Sequence, residues 1–416
     1  MKLSVTPEET SALMARASQA RQEGRTDEAT RLAQELVVRE PSFGPAWNLL
    51  GILQLEGGKS SEAVQSLNCA VKVDPDPPFG WFNLAKAQRA LGDRLGELQS
   101  LDSALTRDPY FLPAILAKGE VLRALHQESE ALELYRLLLE GLEDTSSFPQ
   151  AIQAQLVEAR DFLRRDGLER LGLYLKELDK VAARYPSGDL LRARAYVENR
   201  AGMRRVYLQT PTAGHFPYLP AIEFFDRELF PWFEELERRT DDIRQELLSL
   251  WAEDDPNFRP YVAREPGAPL GEWKELNHSP RWSAYFLWEN GARNDTNCAR
   301  CPITTAAIEA TPLLDIPGKA PTAMFSVLKS RTRIPPHTGS TNARTTIHLP
   351  LVVPPGCRFR VGAETRDWRE GECWAFDDTI EHEAWNDSDS PRAILIIDGW
   401  NPLLSEAERE AVRLVG

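Results

Sequence analysis

The chain has 416 residues, of which 42% are hydrophobic and 27% charged, so it is long enough for two or more packed domains and lies outside the composition of a disordered protein. Its formal net charge of -14 opposes a nucleic-acid-binding surface, which needs positive potential to attract phosphates. There is no run of about 18 uncharged apolar residues to span a membrane, residues 1–9 lack the pattern of a secretory leader, and five cysteines are too few for a disulfide framework, so a cytoplasmic protein is expected.

Along the chain, the first signal is a period. Pro41, Pro75 and Pro109 are spaced by 34 residues, and so are Gly24, Gly58 and Gly92. A fixed spacing of this size marks stacked supersecondary units. Trp47, Leu50, Gly51, Ala63, Leu67, Ala70 and Pro75 are followed one period later by Trp81, Leu84, Ala85, Leu101, Ala104 and Pro109, an order that closely resembles the tetratricopeptide repeat. Each unit predicts two amphipathic helices, with small residues at the close approaches, large ones filling the space between, and proline stopping the second helix. The first unit keeps Ala29 and Pro41 but has no Trp; the fourth, around Ile115, Gly119, Leu122, Ala131 and Tyr135, lacks the closing proline. Weak outer units suit capping, since an end unit has one neighbour to bury against.

The repeat is assigned to residues 8–142, and a helical bridge without the repeat pattern to residues 143–201, with Ile152, Leu156, Ala159, Phe162, Leu171, Leu173, Leu175 and Leu178 as its apolar positions. The arm suits either a concave docking surface for a polypeptide or a scaffold, and its core positions do not decide between them.

After Gly202 the texture becomes aromatic and proline-rich (Phe216, Pro217, Tyr218, Pro220, Phe224, Phe225, Phe230, Pro231, Trp232, Phe233), which marks a second domain over residues 202–416. One helix is predicted over 233–251, and from Trp282 onward short strands, namely 323–330, 345–353, 358–362, 373–376, 381–385 and 393–398. Strands this short and close suggest an antiparallel sandwich or barrel of the jelly-roll kind. The fold class is thus α+β and multidomain: an α-solenoid followed by a double-stranded β-helix.

Three of six histidines, His337, His348 and His382, fall in the strand-rich block. Histidines on separate strands can converge on one metal, but each also suits a surface or hydrogen-bonded core position. Their surroundings carry more. Pro336-His337-Thr338-Gly339-Ser340-Thr341-Asn342, then His348-Leu349-Pro350-Leu351, Gly371-Glu372, Phe376-Asp377-Asp378, Glu381-His382-Glu383, Trp385 and Arg392 closely resemble the aspartyl/asparaginyl β-hydroxylase family, over roughly residues 282–402.

That resemblance implies an Fe(II)- and 2-oxoglutarate-dependent dioxygenase that consumes O2. His337 and His382 match the two iron ligands, and Gly339 stands where most 2-oxoglutarate oxygenases carry the carboxylate that completes the triad. Arg392 matches the arginine that grips the far carboxylate of 2-oxoglutarate, His348 a second donor to it, and Ser326 and Trp282 further residues of the cosubstrate pocket. Arg344 matches a position that holds an acidic substrate side chain, whereas Thr346 stands where animal enzymes have a second arginine; Arg331 and Arg333 either supply that charge or are solvated.

Asp377, Asp378, Glu381 and Glu383 flank His382 and read as support for it, because radical hydroxylation needs no paired general acid and base. Cys298 and Cys301 read as ordinary loop thiols, there being no second pair or nearby histidine for zinc. The implied substrate is an Asp or Asn residue of a peptide or protein docked by the repeat arm. Alternatives are a lipid acyl chain, since the resemblance extends to bacterial lipid A hydroxylases, an amino-acid or peptide metabolite, or an inactive repeat-based adaptor. Retention of His337, His348, His382 and Arg392 speaks against the last, and no Gly-x-Ser-x-Gly elbow supports nucleophilic catalysis.

Overall fold

A computed structural model of the chain describes residues 6–142, 144–185 and 190–415. The N-terminal residues 1–5 and residue 143, where the bridge is expected to begin, lie outside the described residues. The chain divides into two compact units, Met1–Met203 and Arg204–Gly416. No described helix is long and apolar enough to cross a membrane.

The first unit is helical. Four hairpins follow one another: α1 (Pro7–Gln22) with α2 (Thr26–Arg39), α3 (Gly44–Glu56) with α4 (Ser60–Val73), α5 (Pro78–Leu91) with α6 (Arg94–Arg107), and α7 (Leu112–Ala124) with α8 (Glu128–Glu140). The 34-residue period recurs in the contacts. Trp47 Nε1 donates to the Pro41 carbonyl at 2.9 Å, and Trp81 Nε1 to the Pro75 carbonyl at 2.8 Å. Gly24, Gly58 and Gly92 take positive φ (75°, 73° and 78°) in the turn inside each hairpin, and His126 holds the same place in the fourth at φ 58°. Close approach requires two further glycines: a Cβ at Gly51 would lie 2.4 Å from Leu67 Cγ, and one at Gly119 2.2 Å from the Tyr135 ring. The expected bridge is a 35-residue helix, α9 (Gln150–Arg184), followed by α10 (Leu191–Arg200).

In the second unit the helix expected over 233–251 is two, α11 (Phe233–Arg238) and α12 (Thr240–Ala252). At the break, the Thr240 hydroxyl donates to the Glu237 carbonyl at 2.6 Å, a side-chain bond that competes with the helical ladder. Then follow β1 (Arg259–Pro260), β2 (Trp282–Glu289), β3 (Ala292–Arg293), α13 (Asp295–Arg300), α14 (Pro302–Glu309), β4 (Ala323–Leu328), β5 (Thr332–His337), β6 (Arg344–Val352), β7 (Cys357–Val361), β8 (Glu364–Asp367), β9 (Trp374–Phe376), β10 (His382–Asn386), β11 (Arg392–Trp400) and α15 (Glu406–Val415). The strand pattern gave no warning of α13 and α14. Neither was β5 among the predicted strands, because Pro335 and Pro336 interrupt it; it is an edge strand, where a missing N–H leaves no ladder bond unmade.

The strands form two antiparallel sheets. One has the order β1-β2-β4-β11-β6-β9 with β3 on β2, and the other β5-β10-β7-β8. Along β11 the alternate residues Ala393, Leu395 and Ile397 join Tyr285, Phe325, Val327, Ile347 and Leu349 in a core shared with α11, α12 and α14. The intervening ones, Arg392, Ile394, Ile396 and Asp398, face a cavity also lined by the smaller sheet. Strand pleating thus sends one set of side chains to the core and the other to the site.

Candidate active site

The cavity has a volume of about 370 Å³. From the larger sheet it receives Trp282, Met324, Ser326, Arg344, Thr346, His348 and the four alternate residues of β11; from the smaller sheet it receives Ile334, His337, Phe359, His382 and Ala384. All seven residues singled out from sequence, Trp282, Ser326, His337, Arg344, His348, His382 and Arg392, line it together.

His337 ends β5 and His382 begins β10, and the two are direct partners in the antiparallel register. Their ring centroids are 4.1 Å apart. Each ring is set by the same local bond: Nδ1 of His337 lies 2.9 Å from the Pro335 carbonyl and Nδ1 of His382 3.0 Å from the Ile380 carbonyl. A carbonyl only accepts, so each Nδ1 carries the proton and each Nε2 keeps a free lone pair. Burial holds both imidazoles below the ordinary histidine range, the more strongly at His382, where the neighbouring His337 adds to the effect. Two neutral, pre-oriented nitrogen donors side by side suit a divalent metal.

No carboxylate extends from position 339. A Cβ there would lie 2.0 Å from Asp378 Oδ2, so the Asp378 carboxylate fills the space a side chain would need. Among the described residues no group of three or more His, Cys, Asp or Glu is placed to hold a metal ion.

Across the cavity, Arg392 is 2% exposed, with its guanidinium 4.7 Å from the Trp368 ring centroid. Among the described residues its Nε and Nη1 are buried without a hydrogen-bond partner, and burial lowers its pKa to about 10. A buried cation without an anion is costly, and the cavity it lines offers room for one. His348 stands near it, fully buried in character and held well below the ordinary histidine range by desolvation and then by Arg392. Trp374 Nε1 lies 3.4 Å from His348 Nδ1, which fixes Nδ1 as acceptor and Nε2 as donor. Trp282 Nε1 donates to Ser326 Oγ at 3.0 Å, leaving the serine proton for another acceptor.

Arg344 lines the cavity but is not free. It is bonded to the Asp378 carboxylate, and its Nη1 lies 3.6 Å from Asp398 Oδ2. Thr346, short and 8% exposed, lies two residues along the same strand face and adds no charge. Arg331 pairs with Asp389 on the surface and Arg333 with Glu383, and neither lines the cavity. Asp377, Glu381 and Glu383 also stay out of it; Asp377 accepts from Thr379, while Glu381 and Glu383 hold Arg360. Cys298 and Cys301 are not loop thiols: Cys298 is on α13 and Cys301 at the junction with α14, both buried against Tyr285, with the Cys301 thiol pushed up to about 12 by desolvation.

Asp398 and Tyr261 were missed from sequence. Asp398 was findable, since it lies three alternations after Arg392 on one strand. Tyr261 was not, because its ring reaches the cavity by stacking on Trp282, with centroids 4.1 Å apart, from a chain segment without a motif.

Residues 237–402, which contain all seven of these positions, match the family model described as aspartyl/asparaginyl beta-hydroxylase. Bovine (Bos taurus) aspartate beta-hydroxylase domain-containing protein 1 is 30% identical over 60% of this chain and 68% of its own length. This chain belongs to the aspartyl/asparaginyl β-hydroxylase family. The human (Homo sapiens) aspartyl/asparaginyl beta-hydroxylase is 33% identical over 85% of this chain, and the chain spans 53% of that relative's length. The ornithine lipid ester-linked acyl 2-hydroxylase of Rhizobium tropici is 35% identical over 44% of this chain and 62% of its own. In this unit the larger sheet carries Arg392 and His348 and the smaller sheet carries His337 and His382, so the pairing of β5 with β10 fixes the separation of those two rings.

Proposed function

We propose that this chain is an Fe(II)- and 2-oxoglutarate-dependent hydroxylase, with His337 and His382 as the metal ligands and Arg392 as the anchor of the cosubstrate. The observation that carries this reading is the unpaired, buried guanidinium of Arg392 in the same cavity as two neutral histidines with free Nε2 atoms. A dicarboxylate answers both ends: one carboxylate for a guanidinium fork, the other for a metal. When bound, Fe(II) with 2-oxoglutarate and O2 supplies the oxidising chemistry that inserts a hydroxyl group. The chain's own share is to bind, orient and shield. Arg392, His348 Nε2 and Ser326 Oγ hold the far carboxylate; His337 and His382 set the metal end; Trp282, Phe359 and Trp368 wall off water. The double-stranded β-helix reading rests on the two antiparallel sheets that line this cavity.

For substrate, family membership favours an Asp or Asn residue of a peptide or protein, with Arg344 and Asp378 at the substrate end and the repeat unit as its dock. A second reading, hydroxylation of an acyl chain, is favoured by the likeness to the Rhizobium enzyme and by the apolar wall of Met324, Ile334, Ile394 and Ile396. Mn(II) and 2-oxoglutarate titrations separate the roles: His382→Ala removes metal binding, and Arg392→Ala keeps metal but weakens 2-oxoglutarate at least tenfold. Succinate formation with Fe(II), ascorbate and 2-oxoglutarate is lost in both; wild-type-like turnover in His382→Ala overturns the metal assignment.

A further inference from the structure

The two histidines stand at strand ends whose adjoining loops, residues 338–343 and 377–381, are not strands. A metal held by two protein ligands depends on how firmly those loops fix the ligand separation, because no third side chain corrects it. The structure shows what ties them. Residues 210–214 run across both loops: Thr210 N donates to the Thr379 carbonyl (2.8 Å), Thr212 N to the Gly339 carbonyl (2.9 Å) and Gly214 N to the Ser340 carbonyl (2.9 Å).

At the head of this strap stands Gln209. Its Nε2 donates to the Asp377 carboxylate, and its Oε1 accepts from Asn342 Nδ2 at 3.1 Å. Asp377 and Asn342 are themselves 0% exposed and belong one to each loop. Asn342 is fastened to the same strap a second time, accepting from Phe216 N at 2.6 Å and donating to the Phe216 carbonyl at 2.9 Å. Asp377 also accepts from Thr379 N and Oγ1, at 3.0 and 2.6 Å. A carboxamide is what this position requires, since one end must donate to an acid and the other accept from an amide.

We propose that Gln209 is a positioning residue for the two-histidine centre, its carboxamide joining the loop after His337 to the loop before His382. The inference rests on the metal assignment above. Removing the carboxamide breaks the side-chain tie between the two loops and leaves the strap's backbone bonds, the histidines and their Nδ1 bonds in place. Gln209→Glu turns the donor end into a second acid facing Asp377 and weakens the tie in the same direction.

The test measures Mn(II) affinity of the full chain by electron paramagnetic resonance, with hydrogen exchange as a metal-free readout. Gln209→Ala and Gln209→Glu are expected to bind Mn(II) about tenfold more weakly than wild type, with faster exchange confined to residues 338–343 and 377–381 and unchanged exchange in β4 and β11. Gln209→Met, of similar length without polar ends, serves if either variant fails to fold. Wild-type Mn(II) affinity and loop exchange in a folded Gln209 variant overturn the proposal while leaving the metal site standing. Absence of Mn(II) binding in wild-type protein refutes the two-histidine assignment itself and the inference with it.

Discussion

The guanidinium of Arg392 lies over the Trp368 ring at 4.7 Å, and two of its nitrogens, Nε and Nη1, are buried without a partner. Desolvation brings its pKa down to about 10. Burying this cation without a paired anion therefore costs the fold on the order of a few kcal/mol. Arg392→Met, which keeps much of the volume, is therefore expected to stabilise the ligand-free protein by about 2 kcal/mol in urea unfolding. The same variant should show no thermal stabilisation by 2-oxoglutarate with Mn(II). A less stable Arg392→Met would mean that the arginine is structural.

Burial lowers the folded-state pKa of His337, His348 and His382 below the ordinary 6.5. The unfolded chain takes up protons near 6.5 while the folded chain does not, so the unfolded state binds more protons as the pH falls. The stability these groups contribute is present above about 6.5 and is lost progressively below it. For metal-free protein the urea midpoint should drop between pH 7.5 and 5, and the drop should be shallower in a His337→Asn, His382→Asn double variant. Equal slopes in the two proteins would contradict the burial argument.

At Gly339 the Asp378 carboxylate stands 2.0 to 2.4 Å from where a Cβ would be. Gly339→Asp places a second acid against the first and overpacks the loop, at about 1 to 3 kcal/mol. It does not create a useful third ligand. Mn(II) titration and urea unfolding should report a destabilised protein with no gain in metal affinity; tighter binding at full stability would show that the loop accommodates a triad.

In the helical unit, a Cβ on Gly119 meets the Tyr135 ring at 2.2 Å. Gly119→Ala should destabilise the α7/α8 hairpin by about 1 to 3 kcal/mol, seen as faster hydrogen exchange in both helices. Gly119→Ala combined with Tyr135→Leu, which clears the ring, should recover part of the loss.

The sequence by itself determined the helical hairpins and their period, since the first three units repeat the same punctuation: glycine inside the hairpin and proline after it. Through the family resemblance it also pointed to seven of the residues that line the cavity, because the motif around His337, His348, His382 and Arg392 is long and ordered. Alternation along β11 holds the signal, left unread, that Ile394, Ile396 and Asp398 share a face with Arg392. Where local signals conflicted with tertiary need, the sequence was silent. Pro335 and Pro336 hid β5, whose place at a sheet edge tolerates them, and the run from 233 to 251 concealed the break at Thr240.

Only the tertiary structure decided the partners of the charged groups. It gave Arg344 to Asp378 and Asp398, left Nε and Nη1 of Arg392 without a partner among the described residues, turned Arg331 and Arg333 away, and brought Gln209 to Asp377 and Asn342 from more than a hundred positions earlier in the chain. The reason is physical: periodicity fixes which face a side chain takes, whereas hydrogen bonding and desolvation depend on what the remote chain places opposite it.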